Sequence, residues 1–594
     1  MLEMTCVAGL GTLAGCSGDS PDNPGEVKGN GSQNNGGGSD ANKNLAKNYE
    51  EQLSQVVPSG AVNPYQGEWI YNPYHTSWNP GDAQEMSYEY FAVYNTKKGE
   101  FIPRVGKEWS HKDGVSRGVL KKNYAWSNGN PITAKDIVTT IKLAIYMDQG
   151  ISQFLNPDGV KEVSKYEFEL KPRSEYKNIE KDLWYNQWLE TLINTPASHF
   201  RKYVKKFDKA SSKDEVKAVQ KELVQFDPHW NEIAFSGPFV YVEANEQYAD
   251  QIPNQEHPIA KDFGFYQRHG VYEEEAGLRA GEVTYHHQSS TLKDLPKKYD
   301  SPPVAFSGQS FALLFGPTDE FIKSDPRVRQ ALAHAIDFNS VVQVTKPGTP
   351  VDKYSGGIDA GYIKHFVKKD VLSSMTNYVP RDTGRATSLL KEAGFSKKGG
   401  KWHNPNGKQW KLNFPVGDWF ATPSQIVSDN LSQFGISVDH YVDEMATWNA
   451  EVEQPLKYDI SLHLNYGEAR KYHSYPDLEA AYFGSIRGAV NKVGSLSKEV
   501  EVPEVGNPEG STITINLRKT LDELSVAGSS KEAKKLSTQL AWAHNQLLPG
   551  AQIFPWSEFY WVNAGDWNFD LDSNAWLTSN RIAHYFLQHG LQQK

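Results

Sequence analysis

The stretch WSNGNPITAKDIV, residues 126–138, carries a dense set of local structural signals. Its Asn-Gly-Asn-Pro portion favours a tight turn, because Asn and Gly adopt positive φ angles readily and Pro fixes its own φ. Thr133 then provides a helix N-cap, and Asp136 stands three residues later, where the acid of a capping box belongs. Apolar residues at positions 137, 141, 144 and 145 fall on one helical face. The stretch predicts a turn followed by an amphipathic helix over residues 134–147.

Comparable signals lie further along the chain. Asp325 followed by Pro326 is a favourable helix start, and Gly394 is a favourable stop for a helix over residues 385–393. Residues 430–438 indicate a helix end that turns into a buried strand. Because short strand-like runs alternate with such helices, the chain is predicted to belong to the α/β class.

Length and composition exclude several kinds of protein. With 594 residues, the chain exceeds the ~250–300 residues at which single cores usually divide. Hydrophobic residues make up 38% and charged residues 23%, and no apolar run approaches the ~18 residues of a spanning helix. The net charge is -10, and the basic residues are scattered rather than clustered, so we expect no nucleic-acid partner. An aromatic content of 12% favours a site lined by rings.

Both cysteines, Cys6 and Cys16, precede residue 17. The rest of the chain therefore has no disulfide, thiolate metal site or catalytic thiol. Residues 7–16 read as the end of an export signal, and the LAGC run at 13–16 resembles a lipobox, in which Cys16 becomes lipidated. Glu3 stands where such signals carry positive charge. This leaves two alternatives open: the natural start lies upstream of Met1, or the N-terminus is not an export signal.

The next segment, residues 17–45, is rich in Gly, Ser and Asn. Such a composition predicts a flexible tether with a reach of about 25–30 Å. A single acyl chain binds membranes only marginally, so stable anchoring would need the multi-chain modification of lipoproteins.

The sequence contains no recognisable catalytic constellation. We find neither a phosphate-binding Gly-rich loop nor a His-Glu-x-x-His motif, and no nucleophile stands beside a base in a known pattern. We therefore expect no catalytic residue, no metal, no cofactor and no enzymatic activity. An exported hydrolase is the weakest alternative.

The stretch at 126–138 resembles the W-x-D/N-G-x-P-x-T-A-x-D-V signature of family 5 extracellular solute-binding proteins, the oligopeptide and dipeptide receptors of ATP-binding-cassette (ABC) importers. Further stretches resemble the family's landmarks in the same order: SGPF at 236–239, LRAGEV at 278–283, DPRVRQA at 325–331 with AID at 335–337, ATSLLKEAGF at 386–395 and YD at 458–459. Each motif alone is weak, but their order along the chain is specific.

This resemblance implies a two-lobed, periplasmic-binding-protein-like fold (type II, the large three-domain variant) with a hinge between the lobes. The implied parts are the signal end (1–16), the linker (17–45), the first piece of lobe I (46–101), an inserted subdomain (102–234), the second piece of lobe I (235–303), lobe II (304–563) and the last piece of lobe I (564–594). A solute that contacts both lobes would favour the closed form.

The resemblance also implies a ligand-binding strand after Tyr458-Asp459. Peptide-binding relatives carry a Trp there and, three residues later, an Asp that pairs with the peptide ammonium. These positions fall on Asn465 and Glu468, with Tyr466 between them. Glu468 can still pair with an ammonium, but Arg470 could neutralise it instead in a structural ion pair.

Two aromatic groups are further candidates for ligand contact. They comprise Trp69, Tyr71, Tyr74 and Trp78 in an irregular stretch, and Trp556, Tyr560 and Trp561 after Pro555. The alternative for each ring is a place in the core of a lobe.

We therefore expect a lipid-anchored receptor that binds a small solute, in particular a peptide, and delivers it to an ABC permease and ATPase. We expect it to be a monomer at the outer face of the cytoplasmic membrane or in the periplasm. The alternatives are an oligosaccharide or a metal chelate as solute, and a chemosensory receptor of the same fold.

Overall fold

A mixed sheet runs through the α/β fold of this computed structural model. The structure describes residues 55–59, 69–75, 82–245, 247–270, 276–288, 292, 294–303, 305–453, 455–466, 473–483, 499–579 and 581–594. Within these residues the sheet has nine strands, in the order β10-β11-β12-β1-β13-β23-β15-β20, with β14 beside β23. The strands are β1 (Gln55–Ser59), β10 (Phe239–Ala244), β11 (Tyr248–Pro253), β12 (Phe265–Gly270), β13 (Tyr285–Gln288), β14 (Tyr299–Asp300), β15 (Ala305–Phe315), β20 (Ile460–Tyr466) and β23 (Gly550–Asn563).

Two long strands join the halves of this sheet. Strand β23 pairs with β13 and β14 near its end and with β15 along its first part, and β15 pairs with β20 on its other side. The register between β15 and β23 shifts between Phe306 and Ser310. The interruption of the ladder lies where both strands pass from one half to the other, which is the position expected of a hinge.

A separate four-stranded antiparallel sheet, in the order β5-β6-β8-β7, precedes β10 in the chain. Its strands are β5 (Gly106–Lys112), β6 (Val115–Leu120), β7 (Val160–Ser164) and β8 (Glu167–Leu170). The other strands are β2 (Glu89–Tyr90), β3 (Ala92–Asn95), β4 (Glu100–Pro103), β9 (Leu192–Ile193), β16 (Ser396–Lys398), β17 (Lys401–His403), β18 (Lys411–Gly417), β19 (Ser437–Asp443), β21 (Glu499–Pro503) and β22 (Thr512–Asn516).

Helices pack around these sheets. In chain order they are α1 (Asp82–Ser87), α2 (Ala134–Tyr146), α3 (Lys181–Trp188), α4 (Ala197–Phe207), α5 (Lys213–Val224), α6 (Ala276–Ala280), α7 (Glu320–Ser324), α8 (Pro326–Ala335), α9 (Phe338–Thr345), α10 (Ile363–Phe366), α11 (Lys369–Ser374), α12 (Thr383–Glu392), α13 (Ala421–Phe434), α14 (Met445–Trp448), α15 (Tyr475–Phe483), α16 (Leu517–Ser525), α17 (Ser530–Leu547) and α18 (Arg581–His589). None of those in the described ranges combines the length and the apolar composition that a membrane-spanning helix requires.

The stretch at 126–138 forms the predicted turn and helix. The Thr133 N–H donates to Asp136 Oδ2 at 2.8 Å, and Asp136 Oδ1 accepts from the Ala197 N–H at 3.0 Å. Gly129 has the left-handed φ of 81° that the turn requires. Ser127 exchanges hydrogen bonds with the backbone of Phe235, which leads into β10. The motif therefore starts α2 and also ties it to the point where the chain returns to the main sheet.

The SGPF motif at residues 236–239 requires glycine at position 237. A Cβ atom at this position would lie 2.4 Å from backbone atoms of Ser87 and Tyr88, and the Gly237 N–H donates to the Ser87 carbonyl at 2.8 Å. Only glycine permits this approach of two backbones.

The helix predicted over 385–393 begins two residues earlier, because Asp382 accepts from the Arg385 N–H and so caps the start of the helix.

The strand predicted to be buried after residue 435 is largely exposed instead, with Tyr441 and Val442 at its surface. The reason is its position: within the described residues, β19 pairs with β18 alone. The predicted boundaries between the lobes stay predictions.

Candidate functional site

The candidate site lies at the end of β20, beside the two crossing strands β15 and β23. The backbone of Tyr466, at the end of β20, is opposite Ser310 of β15, and Ser310 is also opposite Pro555 of β23. Because neighbouring strands lie about 4.8 Å apart, the end of β20 is about 10 Å from Pro555. The end of β20 at Asn465 and Tyr466 therefore lies beside the point where β15 and β23 pass from one half of the sheet to the other.

A buried loop that contains Gly357 and Asp359 contacts the crossing strands at this point. Gln552 of β23 donates to Ser310 Oγ at 3.1 Å, and its Oε1 accepts from the Gly357 N–H at 2.7 Å. The N–H of the neighbouring Asp359 donates to Asp477 Oδ2 at 3.0 Å. Burial and the Asp477 carboxylate raise the pKa of Asp359 well above its ordinary value. The loop thus connects both crossing strands to the start of α15.

The described residues include only part of the predicted ligand set. Glu468, Trp78 and Cys16 lie outside them, and for Asn465 and Tyr466 the structure describes the backbone alone. Their predicted roles stay predictions.

Trp556 lies one residue beyond Pro555 and is half-buried. The Nζ of Lys346 is 3.7 Å from the centre of its ring, which is a close cation–π distance, and Phe554 stacks nearby with centroids 6.1 Å apart. Lys346 itself has 0% exposure. A buried cation and a second ring therefore hold this Trp at the crossing point, and its contact with a ligand stays a prediction.

Tyr560 occupies a different environment. It is buried, and its ring stacks on His287 with centroids 4.9 Å apart and lies near Trp576. Its strand neighbours, including Trp561 opposite His286, belong to the half of the sheet with β13. This placement favours the core alternative for Tyr560.

Trp69, Tyr71 and Tyr74 pack in one hydrophobic cluster with β10. Tyr71 is 2% exposed and meets Tyr241 edge-on at 5.0 Å, and burial raises the pKa of Tyr71. The Trp69 indole donates to the Asn245 carbonyl at 2.6 Å. This placement likewise favours the core alternative, and the ligand contact of these rings stays a prediction.

Trp419 is a candidate that the sequence analysis missed. It is 55% exposed and follows β18, which runs beside β20: Asn413 donates to Asp459 at 2.7 Å, and Ser461 donates to the Pro415 carbonyl at 2.7 Å. The ends of β18 and β20 therefore lie at one edge, where open α/β sheets bind ligands. The signal in the sequence was the aromatic pair Trp419-Phe420, which begins two residues after Gly417, the last residue of β18.

The described part of the chain contains no group of three or more His, Cys, Asp and Glu side chains placed to hold a metal ion. The described residues of the site offer the exposed ring of Trp419, the half-buried ring of Trp556 and backbone groups at the strand ends.

Solved structures of the same fold bind different solutes. The chain is similar to the periplasmic oligopeptide-binding protein of an oligopeptide ABC transporter from Thermotoga maritima, determined with mannohexaose (17% identity, TM-score 0.66, 91% of this chain and 98% of that chain covered). It is also similar to the oligopeptide-binding protein AppA from Bacillus subtilis with a nonapeptide (14% identity, TM-score 0.64, 91% and 99% covered). A third similar structure is NikA from Brucella suis with Fe(III)-EDTA (15% identity, TM-score 0.65, 91% and 100% covered).

A search of curated protein sequences gives no match. The model of the bacterial extracellular solute-binding proteins, family 5 Middle, matches residues 100–478. This match covers more than half of the chain, and the similar structures confirm the predicted two-lobed fold. The chain therefore belongs to the family 5 bacterial extracellular solute-binding proteins, which are binding proteins and not enzymes.

Proposed function

We propose that this protein captures a short peptide between its lobes and delivers it to an ABC permease and ATPase. The observation that carries the proposal is the position of the end of β20, at Tyr466, beside both crossing strands. Glu468 follows Tyr466 by two residues in the sequence. Family membership supports the binding role. The choice of a peptide depends on the Glu468 carboxylate as the partner of a ligand ammonium.

Replacing Glu468 with Gln tests this choice. We expect Glu468→Gln to weaken the binding of a peptide with a free N-terminus by about 2–4 kcal/mol, because a desolvated ammonium loses its charged partner. Titration calorimetry with a pool of synthetic tri- to pentapeptides would measure the loss.

Two controls accompany this titration. The same peptides with acetylated N-termini should bind weakly to both proteins, and Glu451→Gln, an exposed acid ahead of β20, should leave binding unchanged. Equal binding of free and acetylated peptides would contradict an ammonium partner at Glu468.

An oligosaccharide is the second candidate solute. The observation in its favour is Trp419, whose exposed ring at the ligand edge of the sheet offers a face on which a sugar can stack. Titration with a mannose hexasaccharide in the same series separates the candidates. Binding of the hexasaccharide without binding of any peptide would select it.

We further propose that the receptor is a monomer tethered to the membrane through lipidated Cys16 and the linker at 17–45. Cys16→Ser is expected to move the protein from the membrane fraction to the soluble fraction, because serine lacks the thiol that would carry the lipid. Cell fractionation followed by immunoblotting would measure the shift. Cys6→Ser is the matched control, and retention of the Cys16→Ser protein in the membrane fraction would refute the anchor.

A further inference from the structure

Two aspartates lie buried in the loop that contacts the crossing strands. Asp352 is 2% exposed and Asp359 is 0% exposed. The Asp352 N–H donates to the Ile553 carbonyl of β23 at 2.7 Å, and Gln552 of the same strand accepts from the Gly357 N–H at 2.7 Å. These contacts fix the backbone between the two aspartates and hold both carboxyl groups in the interior.

The Asp359 carboxyl has few donors. Its Oδ1 accepts from the Gly361 N–H at 2.7 Å, whereas its Oδ2 is buried and accepts from no donor in the described part of the chain. An ionised carboxylate has about four lone-pair sites, and its burial with so few donors is costly. The Ser310 hydroxyl of β15 interacts with the same carboxyl, and a hydroxyl oxygen can accept from the O–H of a carboxylic acid. The donors present therefore suit the protonated form better than the ionised form.

The charged groups that act on Asp359 are themselves acids. The Asp359 N–H donates to Asp477 Oδ2 at 3.0 Å, and Asp477 of α15 is 0% exposed. Asp352 Oδ2 is buried without a donor among the described residues. Burial raises the pKa of Asp359 well above its ordinary value, and the charges of Asp477 and Asp352 raise it further.

A basic side chain, His544 of α17, also contacts the loop. A Cβ atom at Gly357 would lie 2.8 Å from His544 Cδ2, and His544 Nδ1 donates to the Ser355 carbonyl at 2.7 Å. Burial lowers the pKa of His544 to about 4, so the ring is neutral at pH 7 and adds no positive charge. A proton on Asp359 would relieve the repulsion of this group by Asp352 and Asp477.

We propose that Asp359 binds a proton in the folded receptor and remains a neutral carboxylic acid at pH 7, hydrogen-bonded to Ser310 at the crossing strands. Ser310 also accepts from the Gln552 side chain at 3.1 Å, so the proton site belongs to the polar contacts between β15 and β23. Loss of the proton would create a buried charge beside both strands and weaken the crossing point. The proposal concerns the folded chain and depends on neither the solute nor the lipid anchor.

Isotope-edited infrared spectroscopy would detect this proton directly. In protein labelled with ¹³C at the aspartate side-chain carboxyl, a protonated carboxyl absorbs apart from the ionised ones. We expect such a band at pH 7 in the native protein and its loss in Asp359→Asn, which keeps the size of the side chain and its Oδ1 acceptor. Asp352→Asn is the matched control in the same loop. It should retain the band, because burial raises the pKa of Asp352 only to about 6.

The pH dependence of stability gives a second measurement. The folded protein keeps a proton on Asp359 that the unfolded chain, with an Asp pKa of about 3.9, releases. Stability is therefore lost as the pH rises from the unfolded toward the folded value, and one such group raises the unfolding constant about tenfold per pH unit. In urea titrations from about pH 5 to about pH 7, the unfolding constant of Asp359→Asn should rise about tenfold less per unit than that of the native protein.

Two further variants make the outcomes decisive. Asp370→Asn, at an exposed position of α11, should change neither measurement. Ser310→Ala should retain the infrared band and shift it, because the acid loses a hydrogen-bond acceptor. The absence of a band that depends on Asp359, or an unchanged pH dependence in Asp359→Asn, would overturn the proton site. If Asp359→Asn does not fold, an unshifted band in Ser310→Ala would overturn it instead.

Discussion

Arg329→Met is expected to lower the free energy of unfolding by about 4 kcal/mol or more, the largest single effect that the structure suggests. Arg329 is 1% exposed and forms no ion pair within the described residues. Its guanidinium donates to the carbonyls of Leu547 and Leu548 at the end of α17, and to those of Ile322 and Lys323 at the end of α7. Loss of the guanidinium would leave buried carbonyls without donors.

The physical basis of this site is the negative end of a helix. The carbonyls in the last turn of a helix lack partners and carry partial negative charge, and the Arg329 cation satisfies two such ends together. Burial nevertheless lowers the pKa of Arg329 to about 10, so the group remains charged at pH 7. Arg327 in the same motif is the matched control. It pairs with Asp325 at the surface, and Arg327→Met should cost less than about 1 kcal/mol.

Chemical denaturation followed by tryptophan fluorescence and calorimetry would measure both variants. A loss below about 1.5 kcal/mol for Arg329→Met would show that water or neighbouring donors satisfy the carbonyls, and would contradict this account.

Glu89→Gln should have the second largest effect, about 3–5 kcal/mol, because it leaves a buried cation without its charged partner. Arg104 contacts the Glu89 carboxylate at 2.6 Å, and His257 Nε2 lies 3.0 Å from the same oxygen. His257 Nδ1 accepts from the Ala260 N–H, so Nε2 carries a proton that it donates to Glu89. Arg104 also contacts His584 of α18 at 3.0 Å.

The pH dependence of stability provides an independent measurement. Burial by itself would raise the pKa of Glu89, but Arg104 and His257 outweigh it and hold the pKa below its ordinary value of 4.5. A depressed carboxyl pKa stabilises the folded protein above the unfolded pKa, and the contribution is lost as the pH falls through the folded value. Glu89→Gln should therefore flatten the acid side of the plot of melting temperature against pH.

The control for Glu89 is Glu167→Gln, which removes the surface partner of Arg117 and should leave the melting temperature nearly unchanged. If Glu89→Gln unfolds at the same temperature and with the same pH dependence as the native protein, the buried network contributes no net stability.

The helix starts could be predicted because their causes are local. Asp136 lies three residues from Thr133, and Asp325 lies two residues from the N–H that it caps. The hydrogen-bond partners are therefore visible in a short window of sequence. The family landmarks were likewise visible, since each is a short run whose residue types and order are preserved in the chain.

The candidate site was harder to predict because proximity there depends on strand pairing. The sequence singled out Tyr466 and Trp556 from separate stretches, but the alignment of both strands with Ser310 follows from the sheet register. Trp419 became a candidate only when β18 was found beside β20. Conversely, Tyr71 and Tyr560 are residues of a type common at binding surfaces, but the structure shows both side chains buried.

The sequence by itself determined the α/β class, the family, the helix caps and the likeness of residues 7–16 to an export signal, because these depend on residue types at short spacing. Only the tertiary structure decided which groups satisfy Arg329 and which four segments meet around Glu89. Arg329 and the carbonyl of Leu547 are 218 residues apart, and Glu89 and His257 are 168 residues apart. Their pairing depends on the burial of polar groups that must find partners in the folded chain, a requirement that no local pattern of residues records.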